Sequence, residues 1–289
     1  MLLLGPGVVA LSTAVVLVKL SELPTGMIAT SRLLLAAMVL YPLMRLEGRT
    51  RPRRSIVELA KPVCLPGIAL ALHFITWFIG IRMTTAANAT LIVNLSPVIM
   101  PFLLLTLVGE QVTRREILGS LLAVVGVVVL ASGSARIDPI GLRGDLICLV
   151  SMVLAVLYLV LARRTGAAKL GIARYLVPLY LLAGVTTLIY TVARREWQEV
   201  SSDIDIGREM LLMALLALIP TAIGHGMLNY SMTQLRGQAV AVASLGQIPV
   251  AALLAVPLLG EHPSRAFYPA CVFIAFGAVI AIFKPKVKA

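Results

Sequence analysis

Long apolar stretches alternate with short polar breaks along all 289 residues. Runs of spanning length fall at 2–19, 27–44, 62–82, 85–108, 114–132, 144–164, 172–193, 209–231, 237–259 and 266–283. Each is near the ~20 residues that an α-helix needs to cross ~30 Å of hydrocarbon. Within a bilayer every backbone amide must find a partner inside the protein, and no run alternates in-out as a barrel strand would. The pattern predicts an all-α integral membrane protein with ten transmembrane helices.

The two halves of the chain repeat each other. Gly109-Glu110-Gln111-Val112-Thr113-Arg114 returns as Gly260-Glu261-His262-Pro263-Ser264-Arg265, 151 residues later. His73 and His225, Phe78 and Tyr230, and Pro97 and Pro249 are each 152 apart, so one single-residue slip separates the two sets. Gly126 and Gly277 follow the opening glycines by seventeen residues. Ten runs divide into five at 1–135 and five at 136–289. Five is odd, so the second half enters the membrane from the opposite face, and the expected fold is two inverted five-helix repeats. Such a pair can exchange conformations, which is the basis of alternating access.

Composition agrees with lipid as the solvent. The chain is 60% hydrophobic and only 13% charged, with a mean hydropathy of +0.98. A soluble domain is nearer half apolar and about a quarter charged. The net charge of +12 does not indicate nucleic acid, because the basic residues lie in short loops between apolar runs. With the N-terminus on one side, that side collects sixteen Lys and Arg and the other eight, with Arg32 inside a run. The positive-inside rule then places both termini in the cytoplasm. No cleavable-signal pattern opens the chain. Cys64, Cys148 and Cys271 are odd in number and form no Cys-x-x-Cys, so neither disulfides nor a zinc site is expected.

The polar residues inside the runs are the candidate chemistry, because polar groups in a bilayer are costly and tend to face the bundle interior. His73 and Trp77 are four apart and share a helix face, as do His225 and Asn229 at the matching place in the second half. Asn88 and Asn94 are six apart, ~120° from one another on an ideal helix. Asn88 matches Val240 at the 152 offset, while Gln247 matches Leu95, so each repeat places one amide on this face. Asn88 and Gln247 are therefore favoured over Asn94. Tyr158 is a further lining candidate. Pro97 and Pro249 remove amide donors and clash with the preceding turn, which makes them matching helix breaks. Thr113 and Ser264 can cap the helices they precede, and Glu110 can pair with Arg114 across its turn. Lys19 and Arg32, near the outer ends of their runs, are expected to snorkel to the interface, with attraction of an anionic substrate as the lesser reading. Gly119 and Ala123 form a small-xxx-small stripe for close helix packing, within the chain or in a homodimer. No P-loop, Gly-x-Ser-x-Gly or His-Glu-x-x-His motif occurs, and no carboxylate lies mid-run. Neither catalysis, a cofactor nor a metal site is expected.

His73-x-x-x-Trp77, Asn94-Leu95-Ser96-Pro97 and Gly109-Glu110 resemble the first half of EamA-type members of the drug/metabolite transporter (DMT) superfamily. Gly224-His225-x-x-x-Asn229, Pro249, Gly260-Glu261 and Gly277 resemble the second half. The resemblance implies two inverted repeats around a central cavity, lined mainly by the first, third, fourth, sixth, eighth and ninth helices. It implies export or exchange of small polar metabolites, often amino acids, in the bacterial inner membrane. Many relatives carry Glu-Pro in the ninth helix where this chain has Ile248-Pro249, so a mechanism that uses that acid is not expected here. Uniport, or proton coupling through His73 or His225, takes its place.

The expected function is a secondary transporter, exporter or exchanger, of small polar or amphipathic metabolites, with amino acids or derivatives favoured, and with a small-molecule substrate and the lipid bilayer as partners. The competing expectations are a flippase for a lipid-linked metabolite, a haem-binding electron carrier with His73 and His225 as ligands, and a membrane enzyme.

Overall fold

Proline and glycine decide where several helices of this chain break or stop. The computed structural model describes residues 3–50, 56–84, 86–132, 139–165, 170–260 and 265–282. Among them there are helices and no strand. Besides a short helix at Ile56–Ala60 and 3-10 turns at Lys61–Val63 and Glu196–Glu199, the helices are α1 (Leu4–Leu20), α2 (Thr25–Thr50), α3 (Cys64–Met83), α4 (Ala86–Val93), α5 (Ser96–Val108), α6 (Arg114–Ser132), α7 (Pro139–Arg164), α8 (Ile172–Arg194), α9 (Ile206–Leu216), α10 (Gly226–Gln234), α11 (Gly237–Ser244), α12 (Gln247–Leu259) and α13 (Phe267–Ile282). Seven stretches among the described residues are long and apolar enough to cross a membrane. α1 and α13 are shorter apolar helices.

The run expected at 85–108 is not one helix. α4 ends at Val93, and α5 starts at Ser96 with Pro97 in its first turn. Pro97 has no amide to return to the Val93 carbonyl, so the chain tightens instead, with Leu95 N bonding Ile92 O at 3.0 Å. The run at 237–259 breaks likewise between α11 and α12, where Gly246 N bonds Ala243 O at 3.0 Å just ahead of Pro249. The eighth run contains a π-helical segment, Ala217–His225, that joins α9 to α10. Pro220 leaves the Leu216 carbonyl without its helical donor, and the Thr221 hydroxyl takes that carbonyl at 2.6 Å.

Small residues set which helices meet. α6 lies along α13, α3 along α7, and α2 along α8. α1 packs against the π segment and α12, and α5 against α7. α3 and α7 touch through Gly80, whose Cβ would stand 2.9 Å from the Gly144 carbonyl oxygen. Apolar side chains such as Leu118, Leu121, Val125 and Val128 point outward from α6 and are exposed. α5 and α12 both end on a left-handed glycine, Gly109 (φ 75°) and Gly260 (φ 68°), a backbone that glycine adopts without a Cβ clash.

Polar networks tie the two ends of the bundle. At one end the buried Glu209 accepts from Ser21 Oγ at 2.5 Å and Glu22 N at 2.9 Å. There Arg208 pairs with Glu22 at 2.8 Å, and Arg82 donates to the Ser21 carbonyl at 3.1 Å. At the opposite end Arg163 pairs with Glu110 at 2.7 Å, and Gly237 N donates to Glu110 at 3.1 Å. Arg236 pairs with Glu116 at 2.5 Å. Glu110 therefore reaches across to another helix, where a pairing with Arg114 was expected. Thr113 caps α6 as anticipated: Glu116 N donates to its hydroxyl at 3.3 Å, and Glu116 Oε2 accepts from Thr113 N at 2.7 Å. Ser264, its counterpart, lies outside the described residues.

Candidate functional site

The two helix breaks and the π segment meet at one chamber. It has a volume of about 80 Å³ and lies among α1, α3, the α4–α5 break, α7, the π segment with α10, and the α11–α12 break. His73, Trp77, Asn94, Tyr158, His225 and Gln247 line it, together with Phe74, Ser96, Ser244 and apolar residues of α1 and α7. A cavity of about 10–15 Å³ already holds a water when polar groups surround it. This chamber has room for several waters or a small functional group.

The two histidines sit in unlike settings. His73 Nδ1 is 3.0 Å from the Ser151 carbonyl oxygen, which can only accept. Nδ1 therefore carries the proton, and Nε2 is an acceptor. The Ser151 hydroxyl donates to the His73 carbonyl at 2.9 Å. On the other side of the chamber, the Asn229 amide donates to the Tyr158 hydroxyl at 2.9 Å. That hydroxyl then has its own proton for His225 Nδ1, 3.2 Å away. Nδ1 accepts, so His225 Nε2 carries the proton and is a donor. One imidazole offers an acceptor and the other a donor. Trp77 stacks on His73 with centroids 6.2 Å apart, and its buried indole N–H has no partner.

Two predicted lining residues lie elsewhere. Asn88 is half-buried and off the chamber wall. Asn94 takes the place expected for it, because the face argument assumed a continuous helix and the break after Val93 turns Asn94 inward. The Asn94 amide also donates to the Thr90 carbonyl at 2.8 Å. Asn229 stands behind Tyr158 and holds it instead of lining the chamber itself.

Arg32 overturns its snorkelling expectation. It lies seven residues into α2, about 10 Å along the helix axis, and it turns into the bundle with no exposed surface. Its Nε donates to Thr221 Oγ1 at 2.9 Å, and its guanidinium carbon lies 4.3 Å from the Phe74 ring centroid. Sequence reasoning also missed Phe74, Ser151 and the π segment. Pro220 inside an apolar run was the available signal for the last, and the place of Arg32 within a run was the signal that it could turn inward.

Among the described residues no group of three His, Cys, Asp or Glu side chains could hold a metal ion. Phe74 stands beside both imidazoles, with centroids 5.0 Å from His73 and 5.4 Å from His225. The Phe74 ring occupies the space between the two imidazoles, so a haem ligated by both does not fit there.

Comparison with known proteins places the chain among transporters. The model of the EamA-like transporter family matches residues 1–132 and again 142–283. A probable terminal-alkyne amino-acid exporter of Streptantibioticus cattleyicolor is 26% identical over 243 residues, which is 82% of this chain and 76% of that protein. The uncharacterized transporter YyaM of Bacillus subtilis is 26% identical over 209 residues, 71% of this chain and 65% of that one. One solved crystal structure superposes with a TM-score of 0.77 over 97% of this chain and 96% of its own, at 21% identity, a likeness of fold alone.

Proposed function

Since the chain belongs to the EamA-like transporter family, we propose that it is a secondary transporter that exports or exchanges amino acids or their derivatives by alternating access. The proposal assigns it ten transmembrane helices as two inverted repeats, 1–135 and 136–289, in a bacterial inner membrane with both termini cytoplasmic. The observation that carries it is the meeting of His73 and His225, 152 positions apart in sequence, on one chamber between two broken helices.

The packing supports a two-fold relation between the halves, and the odd number of five runs in each makes it an inverted one in this reading. A two-fold relation between the halves exchanges α3 with the π segment and α10, and α7 with α1. It therefore predicts that contacts of α3 on α7 return as contacts of α1 on the π segment, and both occur. The same relation turns the α5–α7 contact into the α12–α1 contact, which also occurs. α2 with α8, and α6 with α13, are then the self-related pairs.

In this reading His73, Trp77, Asn94, Tyr158, His225 and Gln247 contact the substrate, and Asn229 positions Tyr158. Half-helices let backbone and side-chain dipoles face a ligand at mid-membrane. The acceptor on His73 and the donor on His225 suit a solute that carries both an ammonium and a second polar group. Relatives include a probable amino-acid exporter, which supports the substrate class. Pro97 and Pro249 supply the hinges. The networks around Glu110 and Glu209 act as gates at the two ends, opened alternately.

Uptake and efflux of a labelled amino-acid panel in proteoliposomes, with and without a pH gradient, tests the proposal. Saturable flux that disappears in folded His225→Ala and Trp77→Ala variants supports it. Wild-type flux in both variants removes these residues from the site.

A further inference from the structure

Arg32 is the charged group that the substrate site described above leaves unused. Its side chain is fully buried, and Nη1 and Nη2 have no hydrogen-bond partner. Only Nε is bonded, to a neutral hydroxyl. An uncompensated charge in a low-dielectric interior is expensive, and a hydrophobic residue of like size would serve packing better. In this conformation its compensation is aromatic: the guanidinium lies 4.3 Å from the centroid of Phe74 and 5.5 Å from that of Phe78.

Phe74 is also part of the chamber wall, and Arg32 is not. The ring thus has the guanidinium on it and belongs to the surface that a solute would meet. The same π segment holds both neighbours of this pair, since Thr221 accepts from Arg32 and His225 packs edge-on to Phe74 at 5.4 Å. π segments recur at functional sites, where their loose register lets side chains shift.

We propose that Arg32 binds the carboxylate of the transported molecule, with Phe74 as the flap between them. A turn of the Phe74 ring opens the chamber onto the two unpartnered Nη groups. Their planar fork matches a carboxylate in bidentate fashion. One guanidinium matches one negative charge, which favours a carboxylate over a doubly charged phosphate. The apolar wall from α1 and α7 then takes the substrate's side chain. This rests on the transporter reading and narrows its substrate to carboxylate-bearing solutes.

The test uses the full-length protein in liposomes and detergent, as wild type, Arg32→Met, Arg32→Lys and Phe74→Leu. The probes are leucine, threonine and phenylalanine, the amide of each, sodium acetate and sodium sulfate. Flux is measured by competition, and binding by the shift in melting temperature. The wild type is expected to prefer acids over amides by at least about tenfold, because a polar group left unpaired at a built site discriminates strongly. Arg32→Met is expected to erase that preference without lowering the melting temperature. Arg32→Lys keeps the charge but not the fork, so it keeps part of the preference and covers the case in which Arg32→Met does not fold. Phe74→Leu is expected to keep the preference and change the rate of exchange. An unchanged acid-to-amide ratio in Arg32→Met or Arg32→Lys overturns the proposal. If acetate and sulfate alike stabilise the wild type through Arg32 while acids and amides compete equally, the anion is inorganic and the substrate assignment is overturned. If no amino acid moves in the wild type, the transporter reading fails for this class, yet an acetate shift lost in Arg32→Met still supports the anion site. With no flux and no such shift, both fail.

Discussion

Gly119 and Gly277 face each other backbone to backbone across α6 and α13. A Cβ on Gly119 would stand 2.5 Å from the Gly277 carbonyl oxygen, and a Cβ on Gly277 would stand 2.5 Å from that of Gly119. Ala123 lies in the same seam, 2.7 Å from the second of these positions. The small-residue stripe is used within the chain, so it is not free to pair with a second copy. Gly277→Ala is expected to push the helices apart and cost about 1–3 kcal/mol, as overpacking does. A lower melting temperature and poorer recovery on size exclusion check this, with Gly109→Ala compared for strain at positive φ alone.

Tyr158→Phe removes the hydroxyl that links Asn229 to His225. Asn229 keeps its second bond, to the His225 carbonyl at 2.8 Å. Stability is therefore expected to fall by about 1 kcal/mol or less. His225 Nδ1 loses its donor, the tautomer is released, and the directed donor into the chamber is lost. Flux in proteoliposomes is expected to fall at least about tenfold, since loss of a single positioned hydrogen bond reaches that scale. Unchanged flux would remove the hydroxyl from the site.

Pro97→Ala and Pro249→Ala return an amide to each break. Both prolines sit in the first turn of their half-helices, where proline is tolerated, so the variants are expected to melt at the same or a slightly higher temperature. Exchange of substrate is expected to slow, because a continuous helix removes the hinge. A variant that is both more stable and equally fast would make the breaks structural only.

Glu110→Gln leaves Arg163 without its carboxylate. The pair is largely but not fully buried, with side-chain exposures of 22% and 12%. Its loss is expected to fall between the ~1 kcal/mol of an exposed pair and the ~3–5 kcal/mol of a buried one. The gating role adds a second expectation, that accessibility of a cysteine probe at this end of the chamber rises. Reactivity with a thiol reagent from each side of the membrane reads it.

Glu196 lies between α8 and α9, where its carboxylate accepts from Met27 N at 3.1 Å. Burial pushes this carboxyl above its ordinary value, although the backbone bonds from Met27 and Gly26 pull it down. A carboxyl raised in the folded state is stabilising while protonated. Stability is therefore highest below the ordinary carboxylate range, falls as pH rises through the raised value, and is level above it. Glu196→Gln keeps an acceptor for Met27 and carries no charge. It is expected to melt at or above the wild type at pH 7–8, with the gap closing near pH 4. A variant that melts lower at both pH values contradicts this.

The sequence by itself determined the solvent, the helical class and the doubling of the chain. Those follow from hydropathy and spacing, which are local and survive any choice of packing. It also marked His73, Trp77, Tyr158, His225 and Gln247, because a polar residue inside an apolar run has few places to go. Only the tertiary structure decided which amide faces inward. Asn94 replaced Asn88 once Pro97 broke the helix and the ideal 100° per residue no longer applied. Only packing could show that Glu110 pairs with Arg163, which lies in a distant run, and that Asn229 supports Tyr158 from behind. Arg32 is the clearest case. A long cationic side chain near a helix end can reach the interface or turn inward, and the choice rests on Phe74 and Thr221. Both come from other helices, and neither contact leaves a trace in local sequence.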